Sequence, residues 1–136
     1  MDSKLILVID DSPTVRKIIE TTLQREGYTV MSFSDGIAAM HWLAQPNAPT
    51  PDLITLDIIL PNIDGFEVAR RLKANTRFKD TVIVMVSRRD TIIDHLQGRL
   101  AGAAKDRLSK PFKTQDLLAI VKKYIGNAPE QSSEYS

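Results

Sequence analysis

Residues 53–60 read Leu-Ile-Thr-Leu-Asp-Ile-Ile-Leu, an almost unbroken apolar run that contains one acid, Asp57. Runs of this kind are typical of strands in a parallel sheet, because helices cover both faces of such a sheet. An ionised carboxylate is costly to place among apolar side chains unless it has a partner. Two interpretations of Asp57 therefore stay open here: it lies exposed where the strand ends, or it belongs to a charged site.

Four further runs have the composition of strands, and segments with helical periodicity separate them. The predicted strands are Lys4–Ile9, Thr29–Phe33, Asp52–Leu56, Thr81–Val86 and Asp106–Ser109. The predicted helices are Pro13–Glu26, a second with the stripe Ile37, Met40, His41 and Ala44, a third opened by Asp64-Gly65, a fourth marked by Ile92, Ile93, Leu96 and Leu100, and a fifth over Thr114–Ile125. This alternation predicts a single α/β domain of five βα units, with a parallel sheet and helices on both faces.

The composition limits the classes of protein to consider. The chain has 136 residues with 18 basic and 17 acidic side chains, a formal net charge of +1, which argues against a strongly basic nucleic-acid binder. It has no Cys, which excludes disulfides and thiolate catalysis, and only two His. No apolar stretch is long enough to span a bilayer, and no signal peptide is visible, so we expect a cytoplasmic protein without membrane insertion. We expect one domain over residues 1–126 and a disordered tail over 127–136.

Polar residues of unusual type follow the predicted strands. Asp10 and Asp11 follow the first strand, Asp57 the third, Ser87 the fourth and Lys110 the fifth. All five fall at the carboxyl ends of strands, the edge where open α/β sheets bind ligands. If the first and third strands are neighbours, three carboxylates converge, and their repulsion calls for a cation. Mg²⁺ suits such a site because it prefers oxygen ligands and keeps several waters.

Each of these residues also has an ordinary structural interpretation. Asp11-Ser12-Pro13 makes a good helix start, with a capping side chain before a proline. A serine at a strand end is usually without a special role, and a lysine is most often a solvated surface residue. The coincidence of all five at one edge is what favours a site. A carboxylate nucleophile beside Mg²⁺ and lysine suits phosphoryl transfer to aspartate, whereas the sequence has neither a glycine-rich phosphate loop nor a nucleophile–His–acid arrangement.

These residues lie within motifs that resemble the receiver domain of two-component response regulators. The motifs are Val8-Ile9-Asp10-Asp11-Ser12, Leu56-Asp57, Leu60-Pro61, Asp64-Gly65-Phe66, Val86-Ser87 and Leu108-Ser109-Lys110-Pro111-Phe112. The resemblance covers roughly residues 4–125 and is closest to stand-alone receivers of the chemotaxis type. More loosely, residues 98–102 are similar to regulators of pilus-driven motility or phototaxis.

The resemblance implies a flavodoxin-like strand order of 2-1-3-4-5 and a role for each residue of the site. Asp57 would accept a phosphoryl group from a sensor histidine kinase or a phosphotransfer protein. Asp11, Asp57 and the backbone carbonyl of Ile59 would bind Mg²⁺ directly, and Asp10 would act mostly through water. Lys110 would pair with the phosphoryl group.

The resemblance also implies how the signal would leave the domain. The Ser87 hydroxyl would move to meet the phosphoryl group, and the Lys110–Pro111 peptide bond would be cis. A surface made of the fourth helix, the fifth strand and the fifth helix would then change its affinity for a downstream protein.

The sequence departs from the family pattern at several positions. Arg107 stands where the family usually has an aromatic residue, and Arg88 replaces a small residue beside the serine. Ile59 is apolar where polar residues often position water, which predicts an acyl phosphate that decays slowly. Residues 102–105 include one residue more than the usual approach to the fifth strand.

Three functional interpretations follow from these observations. The first is a phosphorylated signalling receiver without turnover of a metabolic substrate. The second is a protein-interaction module with the same fold and little or no phosphorylation, which Arg88 and Arg107 favour. The third is a phosphatase that forms an aspartyl phosphate, but Ile59 occupies the place of the second acid that such an enzyme needs.

Overall fold

The computed structural model describes residues 4–88 and 104–128 of the chain. The strands are β1 (Leu5–Ile9), β2 (Thr29–Phe33), β3 (Leu53–Leu56), β4 (Val82–Arg88) and β5 (Asp106–Lys110). The helices are α1 (Pro13–Arg25), α2 (Gly36–Leu43), α3 (Gly65–Lys73), a short 3₁₀ helix (Thr76–Phe78) and a C-terminal helix (Thr114–Ile125). The predicted fourth helix lies outside the described residues, as does most of the predicted tail.

The five strands form one parallel sheet in the order β2-β1-β3-β4-β5, which confirms the predicted fold. In the centre of the sheet, Ile9 of β1 is the register partner of Leu56 of β3. The chain therefore switches direction across the sheet between these two strands, and their carboxyl ends lie side by side. In doubly wound sheets this is the place where ligands bind.

Side chains alternate between two apolar layers, one on each face of the sheet. On β1, Leu7 and Ile9 pack on the face covered by α2 and α3, whereas Ile6 and Val8 pack on the face covered by α1 and the C-terminal helix. Burial on both faces explains why β1 and β3 consist almost entirely of apolar residues. None of the described helices is long and apolar enough to cross a bilayer.

Helix α1 begins and ends at the residues that its sequence indicates. The Ser12 hydroxyl accepts a hydrogen bond of 3.2 Å from the backbone N–H of Val15, and Pro13 occupies the first turn. The helix ends at Arg25, and Gly27 adopts a φ of 94° that an L side chain rarely adopts. The N-cap interpretation of Asp11-Ser12-Pro13 is therefore confirmed for Ser12.

The buried face of α2 differs from the predicted one. Gly36, Ala39 and Leu43 are buried, whereas Ile37 is 51% exposed. A Cβ atom on Gly36 would lie 2.4 Å from Val68 Cγ2 of α3, so the two helices pack closely only because Gly36 lacks a side chain. The predicted stripe was wrong at Ile37, His41 and Ala44, because small residues, which carry little hydrophobic signal, form the contact, whereas Met40 packs partly buried against the core.

The last two strands extend further than predicted. Ser87 and Ser109 are register partners, as are Arg88 and Lys110, so the β4–β5 ladder continues through all four residues. The prediction that Ser87 and Lys110 follow their strands was therefore wrong: Ser87 is the penultimate residue of β4, and Lys110 is the last residue of β5. The Lys110–Pro111 peptide bond is cis, as the resemblance implies.

Candidate functional site

Three acidic side chains converge where β1 and β3 end. The backbone N–H of Asp57 donates to the Ile9 carbonyl at 2.9 Å, which continues the β1–β3 ladder by one residue and sets Asp57 beside Asp10. One carboxylate oxygen from each of Asp10, Asp11 and Asp57 lies within 4.8 Å of the other two. The structure thus brings together the three acids that the strand order places at this edge.

The three acids differ in burial. Asp10 is 2% exposed and Asp57 is 6% exposed, whereas Asp11 faces solvent. The interpretation of Asp57 as an exposed residue at a strand end is therefore wrong. Burial raises the pKa of the Asp57 carboxyl above its ordinary value, and the charge of Asp10 raises it further, although Lys110 and a backbone hydrogen bond from Ile59 oppose this shift.

Lys110 extends from the end of β5 to the two buried acids. Its Nζ lies 2.7 Å from Asp10 Oδ2 and donates to Asp57 Oδ2 at 3.2 Å, and its side chain is 16% exposed. Burial alone would lower the pKa of the Lys110 ammonium, but its hydrogen bond to Asp10 and the charges of Asp10 and Asp57 outweigh this and raise the pKa above its ordinary value. Lys110 therefore stays charged and holds the two carboxylates together.

Ser87 is fully buried, and its hydroxyl has no hydrogen-bond partner among residues 4–88 and 104–128. A buried hydroxyl without a partner costs about 1–3 kcal/mol, so this hydroxyl is available to bind a ligand. No hydrogen bond joins Ser87 to Asp57 or Lys110 within the described part of the chain. The structure places Ser87 beside the site on β4 without linking it to the charged cluster.

Two residues outside the sequence predictions shape the backbone of the site. Arg16 Nη1 donates to the Asp10 carbonyl at 2.7 Å. The N–H of Gly65 donates to the Ile58 carbonyl at 2.7 Å, and a Cβ atom on Gly65 would lie 2.1 Å from the Asp57 carbonyl oxygen. The motif Asp64-Gly65 indicates a helix start, but only the packing shows that the glycine touches the peptide of Asp57.

The segment after Asp57 is held by alternate apolar side chains. Ile58, Leu60 and Ile63 are buried in the layer beneath α3, whereas Ile59 is 62% exposed. This alternation explains why the apolar run continues beyond β3. The role of the Ile59 carbonyl as a metal ligand stays a prediction.

The donor set at this edge fits a hard divalent cation. Three carboxylates lie around the Lys110 ammonium and the Arg16 guanidinium at the Asp10 carbonyl, so the acids outnumber these two cations. Mg²⁺ binds oxygen ligands at about 2.0–2.1 Å and keeps several waters. Carboxylate oxygens that lie within 4.8 Å of one another suit one ion with a mixture of direct and water-mediated ligands.

The two arginines that depart from the family pattern lie on β4 and β5. Arg88 and Lys110 line a cavity of about 350 Å³ together with Val15, Ile18, Pro111 and Phe112. Arg107, which replaces the usual aromatic residue, is exposed on β5 and is the register partner of Met85. The one-residue extension at residues 102–105 lies partly outside the described residues.

The fold and the acidic cluster together define a doubly wound α/β domain with a candidate cation site at its topological switch point. The family described as the response regulator receiver domain matches residues 6–122, and the chain belongs to this family. Receiver domains are signalling modules, and the resemblance in the motifs is thereby confirmed.

Individual relatives and solved structures agree with this membership. The chain is 35% identical to the protein PilG of Pseudomonas aeruginosa over 124 aligned residues. The alignment covers 91% of this chain and 89% of PilG. The chain spans about half the length of other relatives, among them the transcriptional regulator RpaA of Synechocystis, at 38% identity over 86% of this chain and 47% of RpaA.

Two solved structures are similar in fold. The chemotaxis response regulator CheY4 of Vibrio cholerae has a TM-score of 0.81 and 28% identity, over 91% of this chain and all of that chain. The second is the receiver domain of the sensor histidine kinase PA1611 of Pseudomonas aeruginosa, with a TM-score of 0.78 and 29% identity over 93% of this chain and all of that chain. That structure has a magnesium ion coordinated in its active-site cleft.

Proposed function

We propose that the chain is a single-domain response regulator, with its receiver over residues 1–126, that accepts a phosphoryl group on Asp57 in a Mg²⁺-dependent reaction. The donor would be a phosphohistidine of a sensor histidine kinase or a phosphotransfer protein. The observation that carries this proposal is the burial of Asp57 next to two further carboxylates and within 3.2 Å of the Lys110 ammonium.

The residues of the site have distinct roles in this reaction. One oxygen of Asp57 attacks the phosphorus atom, the phosphorus–nitrogen bond of the donor breaks, and the imidazole leaves with its electron pair. Mg²⁺ bound by Asp11, Asp57 and the Ile59 carbonyl, with Asp10 acting through water, would neutralise charge on the phosphoryl oxygens. Because the ammonium of Lys110 already lies at Asp57, it is placed to pair with those oxygens without a large movement.

The change at Asp57 would reach a partner through β4 and β5. The hydroxyl of Ser87, which has no partner among residues 4–88 and 104–128, is the group that we expect to bond a phosphoryl oxygen, and Ser87 is the register partner of Ser109 on β5. The surface that responds would comprise the predicted fourth helix, β5 and the C-terminal helix. The similarity of the chain to PilG and CheY4 favours a partner in motility or taxis signalling.

The setting of this activity is also part of the proposal. The protein would act in the cytoplasm on a protein partner, without direct nucleic-acid binding, membrane insertion or turnover of a metabolic substrate. The nearly balanced charge of +1 supports the absence of direct nucleic-acid binding.

The test is phosphate incorporation from a labelled histidine kinase into the wild type, Asp57→Asn and Asp64→Asn. The Asp64 carboxylate caps α3 by accepting a hydrogen bond of 2.9 Å from the N–H of Glu67, a role that asparagine can also fill, so this variant is a matched control. We expect label on the wild type and on Asp64→Asn and none on Asp57→Asn. Label retained by Asp57→Asn would move the acceptor elsewhere.

A second candidate is an interaction module that is rarely phosphorylated. The observation in its favour is Arg107, which is exposed on β5 where the family usually has an aromatic residue that responds to phosphorylation. Incubation with Mg²⁺ and beryllofluoride separates the two candidates. Unchanged backbone amide NMR spectra would support the second candidate, whereas shifts at β4 and β5 would support the first.

A further inference from the structure

Arg16 binds the backbone of the acidic cluster from the first turns of α1. Its Nη1 donates to the Asp10 carbonyl at 2.7 Å, and the side chain is half-buried. The peptide group that carries this carbonyl joins Asp10 to Asp11. Because a peptide group is planar, a hydrogen bond that fixes the direction of its carbonyl also fixes the direction in which Asp11 leaves β1.

The two neighbouring acids are held in different ways. Every polar group of Asp10 has its own contact: its N–H donates to Phe33 at 3.1 Å, Oδ1 accepts from the Ser12 N–H at 2.9 Å, and Oδ2 lies 2.7 Å from Lys110 Nζ. The exposed carboxylate of Asp11 has no hydrogen bond or ion pair with another residue of 4–88 or 104–128. The direction of the Asp11 carboxylate therefore depends on its backbone, which is held on one side by Arg16 and on the other by the hydrogen bond from Ser12 to Asp10.

We propose that Arg16 is a positioning residue that directs Asp11 into the cation site. This inference rests on the proposed function, since it takes the site to bind Mg²⁺. Charge and orientation make opposite predictions for the loss of Arg16. Removal of a positive charge near three carboxylates would strengthen cation binding, whereas loss of the oriented peptide would weaken it.

The experiment compares Arg16→Ala with Lys17→Ala by isothermal titration with MgCl₂ alone. Lys17 is the next residue of α1 and is exposed, so its substitution removes the same charge without the contact to Asp10. We expect Arg16→Ala to bind Mg²⁺ about tenfold more weakly than the wild type, a typical loss for a residue that orients a metal ligand. Lys17→Ala should bind with unchanged or slightly higher affinity. Arg16→Lys should restore most of the loss, because a single N–H reaches the carbonyl.

Each outcome decides the inference. If Arg16→Ala folds and binds Mg²⁺ as tightly as Lys17→Ala, the inference is overturned, even if the thermal midpoint of Arg16→Ala without metal is lower. The proposed function would be unaffected by that result. A wild type that does not bind Mg²⁺ at millimolar concentration overturns both. Circular dichroism checks the fold. If Arg16→Ala does not fold, Arg16→Gln replaces it under the same criteria.

Discussion

Lysine and arginine side chains have different roles at the amino ends and at the carboxyl ends of the strands. At the amino ends of the strands, Arg77 donates to the carbonyls of Leu43 and Ala48 and to the Thr50 hydroxyl, and Lys73 donates to the carbonyls of Phe78 and Thr81. These acceptors are neutral, so the contacts hold the loops in place and create no negative charge that a bound cation would have to balance.

At the carboxyl ends, one lysine contacts two buried acids, and a third acid lies beside them. The pKa of Lys110 is raised by its acidic neighbours, whereas burial and the nearby Lys105 lower the pKa of Lys73. Two side chains of the same type therefore differ because of the charge of the groups around them. The comparison shows that the candidate site differs from the opposite ends of the strands in its clustered carboxylates, which outnumber the cations around them.

The largest expected effect follows the loss of Lys110. In Lys110→Met the buried Asp10 and Asp57 lose their cation, and we expect a loss of about 3 kcal/mol in the free energy of unfolding without metal. Added Mg²⁺ should recover most of this loss, because it supplies the missing positive charge. Urea unfolding with EDTA and with MgCl₂ measures both values. Lys73→Met is the control. If Mg²⁺ raised the free energy of unfolding of Lys73→Met more than that of the wild type, the contrast between the two ends of the strands would be contradicted.

A second prediction concerns pH. Because the pKa of Asp57 is raised in the folded state, folding favours its protonated form, and stability falls as the pH rises from its ordinary pKa of 3.8 through the raised value. At pH 7 in EDTA, Asp57→Asn should therefore be more stable than the wild type, with a flatter pH profile. Thermal midpoints between pH 4 and 8 test this expectation. Equal profiles for the two proteins would contradict it.

At the opposite edge, Arg77→Ala should have a smaller effect of a different kind. It removes two exposed hydrogen bonds, one partly buried hydrogen bond and a guanidinium that lies 4.9 Å from the ring centre of Phe78. We expect the free energy of unfolding to fall by about 1 kcal/mol, with no change in Mg²⁺ affinity or phosphate incorporation. A reduced Mg²⁺ affinity in this variant would show that the two edges are not independent.

The smallest expected effect is on the lifetime of the acyl phosphate. The exposed Ile59 side chain provides no hydrogen bond for an attacking water, so we expect slow decay in the wild type. Ile59→Asn should accelerate decay several-fold without changing Mg²⁺ affinity, and Ile37→Asn, at another exposed isoleucine, should leave the rate unchanged. Loss of label from purified phosphoprotein in Mg²⁺ measures the rate. Decay of the wild type within seconds would contradict the prediction.

Much of this site could be predicted from sequence because its residues lie at strand ends. Apolar runs define β1 and β3, so the acids that follow them must meet if the strands are neighbours. The buried face of α2 could not be predicted in the same way, since Gly36 and Ala39 carry little hydrophobic signal.

The contacts of Arg16 and Gly65 were also beyond the sequence pattern. Each of these two residues contacts a backbone carbonyl, and because every residue has one, the sequence does not show which carbonyl is contacted. The last residues of β4 were missed because Ser87 and Arg88 are polar, although the ladder with β5 continues through them.

The absence of a side chain on Gly65 has a mechanical consequence. Helix α3 lies directly against the Asp57–Ile58 peptide, so no side chain separates the helix from the backbone of Asp57. If Asp57 accepts a phosphoryl group as proposed, this contact would keep its backbone from moving toward α3. We therefore expect the protein to accommodate the new group by movement elsewhere, for example at Ser87, whose hydroxyl has no hydrogen-bond partner among residues 4–88 and 104–128.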